Sequence, residues 1–119
     1  MPVDSGDILR AYCTFVEKHK CIVCICPRLR LFFFINSEPR RTTPTAQLLI
    51  KKSEYPFLDH DSYINAALLF ELPASDLSKS ILLGSLSIDT RNEIVRIVED
   101  SRYLPALRRE IITSNLISN

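Results

Sequence analysis

Two apolar runs stand almost back to back near the start of the chain, and they constrain its fold more than any other feature. Cys21-Ile22-Val23-Cys24-Ile25-Cys26 is rich in β-branched residues and reads as a buried strand. Leu29 to Asn36 follows after only Pro27-Arg28, and Phe32, Phe33 and Phe34 give it strong strand propensity. Runs separated by so short a break predict a hairpin. Side chains on a strand alternate faces, so Cys24 and Cys26 are expected on one face and Cys21 on the other.

Around this hairpin the pattern predicts further strands over 7–15, 46–51 and 63–72, with Pro73 closing the last. Residues 37–45 hold two prolines and no apolar side chain, and read as a loop. The period then changes. Ile94, Ile97, Val98 and Ser101 lie at helical spacing, with Ser87 as N-cap and Asp89 in the first turn. Pro105 interrupts, and Ala106 to Thr113 predicts a second short helix. About five strands over 7–72 followed by helices over 87–113 give an α+β class, a small curled sheet or barrel with C-terminal helical additions.

The chain's 119 residues suit one domain over 1–119, able to bury roughly two thirds of its unfolded surface without a staple. With 46% hydrophobic residues and a net charge of +1, the composition excludes a disordered chain. The apolar runs Leu31 to Ile35 and Ala66 to Phe70 fall far short of the roughly 20 residues of a membrane span. Residues 1–7 have neither the basic nor the apolar region of a secretory signal, so a cytoplasmic location with reduced thiols is expected.

Cys21-x-x-Cys24 has a zinc-ligand spacing, but it lies in strand-forming sequence and no second such pair exists. The four cysteines, Cys13, Cys21, Cys24 and Cys26, are therefore expected as small core hydrophobes, with no metal and no cofactor. His60-Asp61-Ser62 lists triad residue types, but neighbours on one turn do not align as nucleophile, base and orienter. Asp61 and Ser62 are instead expected to satisfy backbone donors where the chain enters a strand.

Charge is uneven. Residues 1–56 carry nine Lys/Arg against five Asp/Glu, and residues 57–119 carry six against nine. Lys18, His19, Lys20, Arg28, Arg30, Arg40 and Arg41 stand mostly at strand ends or in loops. Such a basic half suits either a solvated rim or a phosphate backbone, with aromatic neighbours that could stack on unpaired bases.

Four segments, in order along nearly the whole chain, resemble the MazF/PemK-like toxin family. Gly6-Asp7-Ile8 is similar to the family's opening Gly-Asp-Ile/Val. Lys18-His19-Lys20-Cys21-Ile22-Val23-Cys24 matches its basic entry into an apolar second strand. Leu58-x-x-Asp61-Ser62-Tyr63-Ile64 resembles Leu-x-x-Asp-Ser-Val-Val, and Leu83-Gly84-x-Leu86-Ser87 the Leu-Gly-x-Leu-Ser before the terminal helix. The resemblance implies an SH3-like barrel, a homodimer, an antitoxin or other protein partner, and metal-independent endoribonuclease activity on single-stranded RNA.

The family's catalytic residues are an Arg before the second strand and a Thr or Ser at the end of the third. Ser37 matches the hydroxyl position, but Glu17-Lys18-His19-Lys20 contains no Arg and the family's Gly-rich loop is missing. His19 then becomes the expected acid or base, beside Lys18 and Ser37 as catalytic candidates. Lys20, Arg28, Arg30, Asn36, Arg40 and Arg41 are the candidate RNA contacts. The alternative expectation is a non-catalytic barrel that binds a protein or nucleic acid, since small barrels host many functions.

Overall fold

A computed structural model describes residues 2–117. The predicted hairpin is present as β2 (Lys18–Cys26) and β3 (Leu31–Asn36), paired antiparallel and flanked on one side by β1 (Asp7–Cys13). Then come β4 (Gln47–Ile50), β5 (Ser62–Glu71), the short α1 (Ala74–Ser78), β6 (Ile81–Ser85), α2 (Ile88–Glu99) and α3 (Ala106–Ile117). All six strands join one antiparallel sheet, ordered β4-β5-β3-β2-β1-β6, which curls into a half-barrel beside the two terminal helices. The α+β class expected from the sequence is the class observed, with a sixth strand added.

Central strands bury both faces, and parity divides them between two cores. Ile8, Val23, Phe33 and Ile64 face α2 and α3, where Ile94, Val98, Ile112 and Leu116 close the larger core. Their sequence neighbours Leu9, Ile22 and Phe32 point the other way, with Leu72, into a smaller core closed by Val3, Phe70 and Leu77. A fully buried Ile, Val or Phe contributes roughly 1.5–3 kcal/mol, so the adjacent pairs at the centre stabilise the sheet from both sides.

The expected placement of the cysteines is corrected by a bulge. The β2–β3 register shifts between Cys24 and Cys26, so Cys26 joins the larger core while Cys24 lies in the smaller one. Cys21 borders the larger core as well, so it shares a side with Cys26 rather than standing opposite both. An extra residue in a strand resets the alternation that strict parity assumes.

The division into strands over 7–72 and helices over 87–113 also needs correction. α1 and β6 lie between those regions, and α3 continues to Ile117. β6 is an edge strand whose Ile81 and Leu82 are largely exposed, so it lacks the buried alternation that marks a strand. Pairing with β1 creates it, from Asp7↔Ser85 to Arg10↔Ile81.

Buried polar contacts hold the connections. Asp7 accepts from the Asp4 N–H at 2.9 Å and the Ser85 hydroxyl at 2.7 Å, tying β1 to β6. Asp76 of α1 accepts from both the N–H and the hydroxyl of Thr14, fixing the β1–β2 turn. Ser87 caps α2, accepting from the Thr90 N–H at 3.2 Å. The buried Tyr55 hydroxyl lies 2.7 Å from Thr90 Oγ1 and accepts from the Ser87 N–H, anchoring the loop before β5 to that helix start.

Gly6 has φ +90°, and a Cβ there would lie 2.4 Å from the Arg91 guanidinium carbon. Its N–H bonds Cys24 and its carbonyl bonds Leu86, so the strained conformation cannot relax without loosening both neighbours. Gly6→Ala is expected to destabilise by about 1–3 kcal/mol, read as a lower urea midpoint. The thiols yield a second expectation. Burial pushes Cys24 from its ordinary 9.0 up to about 12, and raises Cys13 and Cys21 as well. Unfolding then releases protons above pH 9, so stability falls as pH rises from 9 towards 12. At pH 8 only the half-buried Cys21 is expected to react with a thiol reagent, while Cys13, Cys24 and Cys26 wait for unfolding.

Candidate functional site

At the end of the half-barrel near the β1–β2 turn, a cleft of about 220 Å³ opens. Its first wall is the β1–β2 hairpin. The turn after Cys13 places Tyr12 opposite His19 and Arg10 opposite Cys21, so all four side chains follow the parity of Ile8 and Val23. Arg10 and His19 line the cleft with Cys21. The Arg10 guanidinium hydrogen-bonds the Cys21 thiol and opposes the upward push that burial exerts on it. The His19 ring meets Tyr12 edge-on, with centroids 5.0 Å apart.

The second wall comes from Ile35 and Ser37, two residues apart on the same side of β3 and its continuation. The third is the loop entering β5, with Leu58, Asp59, His60 and Ser62. Buried Leu58 and the Tyr55 anchor fix this loop, and Asp61 accepts from the Lys52 N–H at 2.9 Å. Asp61 thus satisfies a backbone donor, as expected. The expectation for Ser62 is corrected: its hydroxyl donates to the His60 carbonyl at 3.0 Å, so it satisfies a backbone acceptor and not a donor.

His60 Nδ1 lies 2.9 Å from the Asp61 carbonyl oxygen. A carbonyl only accepts, so the neutral ring carries its proton on Nδ1 and offers Nε2 as a base. Both histidines of the chain therefore line one cleft. With Arg10, Ser37 and Asp59 they supply a proton acceptor, a proton donor, a fixed positive charge, a hydroxyl and a carboxylate. Among the described residues, no group of three His, Cys, Asp or Glu converges as a metal site.

The structure unites His19 with Ser37 and separates them from most of the other candidates. Lys20 borders the cleft, but its ammonium turns to the opposite face, 2.9 Å from Asn36 Oδ1 and 5.4 Å from the Phe34 ring centroid. Lys18 and Asn36 share that parity. Burial, then the charges of Arg40 and Lys18, hold Lys20 below its usual lysine range. Asn36 Nδ2 is buried with no hydrogen-bond partner among the described residues. Arg40 and Arg41 are exposed in the loop after β3, where the Arg40 N–H donates to Gln47.

Arg28 and Arg30 lie at the far end of the β2–β3 hairpin. Arg30, with φ 53°, donates to the Leu72 carbonyl and pairs with Glu71 at 3.1 Å, the sole ion pair among the described residues. Its charge is thereby engaged in holding the turn to the end of β5.

Sequence reasoning missed Arg10, Asp59 and His60 as site residues. Arg10 was legible in principle, because the hairpin turn sets it two positions from Tyr12 on the face of His19. His60 was not, because no local pattern brings the loop before β5 to the start of β2. No protein-family model matches the chain, and no curated protein is significantly similar to it.

Arg10→Met is expected to move the thiolate midpoint of Cys21 upward, since it removes a positive charge and a hydrogen bond that favour the thiolate. The pH dependence of Cys21 alkylation reads this directly. An unchanged midpoint would separate the two side chains.

Proposed function

We propose that this cleft cleaves single-stranded RNA by transesterification at the 2′-hydroxyl, without a metal. The single observation that carries the reading is the meeting of the chain's only two histidines with Arg10 in one cleft. His60 Nε2 accepts the 2′-hydroxyl proton as the 2′-oxygen bonds to phosphorus. The bond to the 5′-oxygen breaks, and protonated His19 delivers a proton to that leaving oxygen. The products are a 2′,3′-cyclic phosphate and a 5′-hydroxyl, with no atom or charge unaccounted for. Arg10 offsets the charge gathering on the phosphoryl oxygens, and the Ser37 hydroxyl donates a hydrogen bond to it.

Two imidazoles and a guanidinium perform the chemistry for which a metal-independent ribonuclease needs acid, base and cation. Arg10 supplies from the first strand a guanidinium, the group that residues 17–20 lack, at a position that the resemblance to the MazF/PemK-like toxins does not match. That resemblance carries a toxin-type role, a homodimer and a neutralising antitoxin into the same proposal.

A second reading rests on the other face of the sheet. Lys18, Lys20 and Arg40 gather there with no ion pair among the described residues, beside Phe34 stacked on Phe70 at 4.1 Å. An uncompensated basic and aromatic surface suits a barrel that only binds an anionic partner.

Incubation of the purified protein with a varied single-stranded RNA pool in EDTA distinguishes the two. Discrete cuts ending in cyclic phosphate are expected, with His19→Ala and His60→Ala each slowing them by about 10²–10⁴-fold. Intact RNA in the presence of folded protein would sink the nuclease reading and favour the binding module.

A further inference from the structure

A second cleft, of about 340 Å³, lies on the other side of Arg10 and His19 and shares both residues with the first. Tyr12, Thr14, Asp76, Lys79 and Ile81 complete its lining. Its volume falls within the roughly 300–1,000 Å³ of small-ligand sites. Resting on the nuclease reading above, we propose that this second cleft binds the leaving nucleotide of the RNA, stacking its base on Tyr12 between that ring and Ile81.

The argument begins with position. Arg10 pairs with Ile81 at the end of β6, so Tyr12, two residues further along β1, extends past the edge strand. β6 does not reach it, and 44% of its surface is exposed, with Ile81 at 61%. Two exposed apolar surfaces flanking one cleft match the flat, apolar faces of a nucleobase. Lys79, at the end of α1, makes no ion pair among the described residues, which leaves its ammonium for the next phosphate. The carboxylate in the cleft, Asp76, is 5% exposed and its Oδ2 is taken by the Thr14 N–H and hydroxyl, so it is largely withdrawn from the opening.

Direction follows from His19. The group that protonates the leaving 5′-oxygen must stand between the scissile phosphate and the nucleoside that departs. His19 lies on the border of the two clefts and against Tyr12, so the phosphate belongs in the first cleft and the departing base in the second. Every base has a face to stack, so this subsite strengthens binding with little sequence preference.

The experiment compares two substrates that differ only in the leaving group, a dinucleoside monophosphate and a nucleoside 3′-methylphosphate. The native protein is expected to cleave the dinucleotide at least about tenfold more efficiently, through KM, as one stacked base would provide. Tyr12→Ala is expected to bring the ratio of the two substrates' efficiencies to about one, whatever it does to the methyl ester through its contact with His19, and Tyr12→Phe to restore the ratio because the phenyl face remains. Undiminished dinucleotide preference in Tyr12→Ala would overturn the subsite and leave the nuclease intact. Failure of the native protein to cut either substrate or long RNA would overturn the nuclease itself, and the subsite with it.

Discussion

Burial of β2 and β3 on both faces is the constraint from which the rest of the structure follows. All residues from Ile22 to Cys26 and from Leu31 to Asn36 are buried, so neither face of this hairpin tolerates water. One sheet with one covered face could not satisfy it. The chain therefore supplies α2 and α3 against one face, and the segment of Val3, Phe70, Leu72 and Leu77 against the other. Every later element is placed by the need to close one of these two cores.

The cleft is a by-product of that arrangement. Burial stops where β2 reaches Lys18, His19 and Lys20, and the sheet beyond carries polar side chains on both faces. On the larger-core side the polar continuation is Arg10, His19 and Ser37. On the other side it is Lys18, Lys20 and Asn36. The Tyr55 hydroxyl, buried among Ser87 and Thr90, then holds the 51–61 loop against the first set and delivers His60. A core residue thus positions a catalytic candidate without touching it.

This parity explains why a basic stretch in sequence is not one basic site in space. Lys18, His19 and Lys20 are consecutive, yet the middle residue faces the cleft and the outer two face the Phe34 side. Arg28 and Arg30 are further along the same hairpin and reach its far end, where Arg30 is engaged by Glu71 and Leu72. Ser37 and His19, separated by 18 positions but equal in parity on paired strands, come together in the cleft.

Local signals in the sequence determined the central hairpin, the α+β class, the Ser87 cap and the broken pair of terminal helices, because β-branched runs, capping residues and prolines act within a few positions. The bulge at Cys24, the edge strand β6 and the union of Arg10 with His60 were decided by the tertiary structure alone. A bulge answers to the register of a neighbouring strand, an exposed edge strand exists only through its partner, and a cleft between distant loops depends on how two cores close. None of these has a period to read along the chain, since each is set by contacts between residues far apart in sequence.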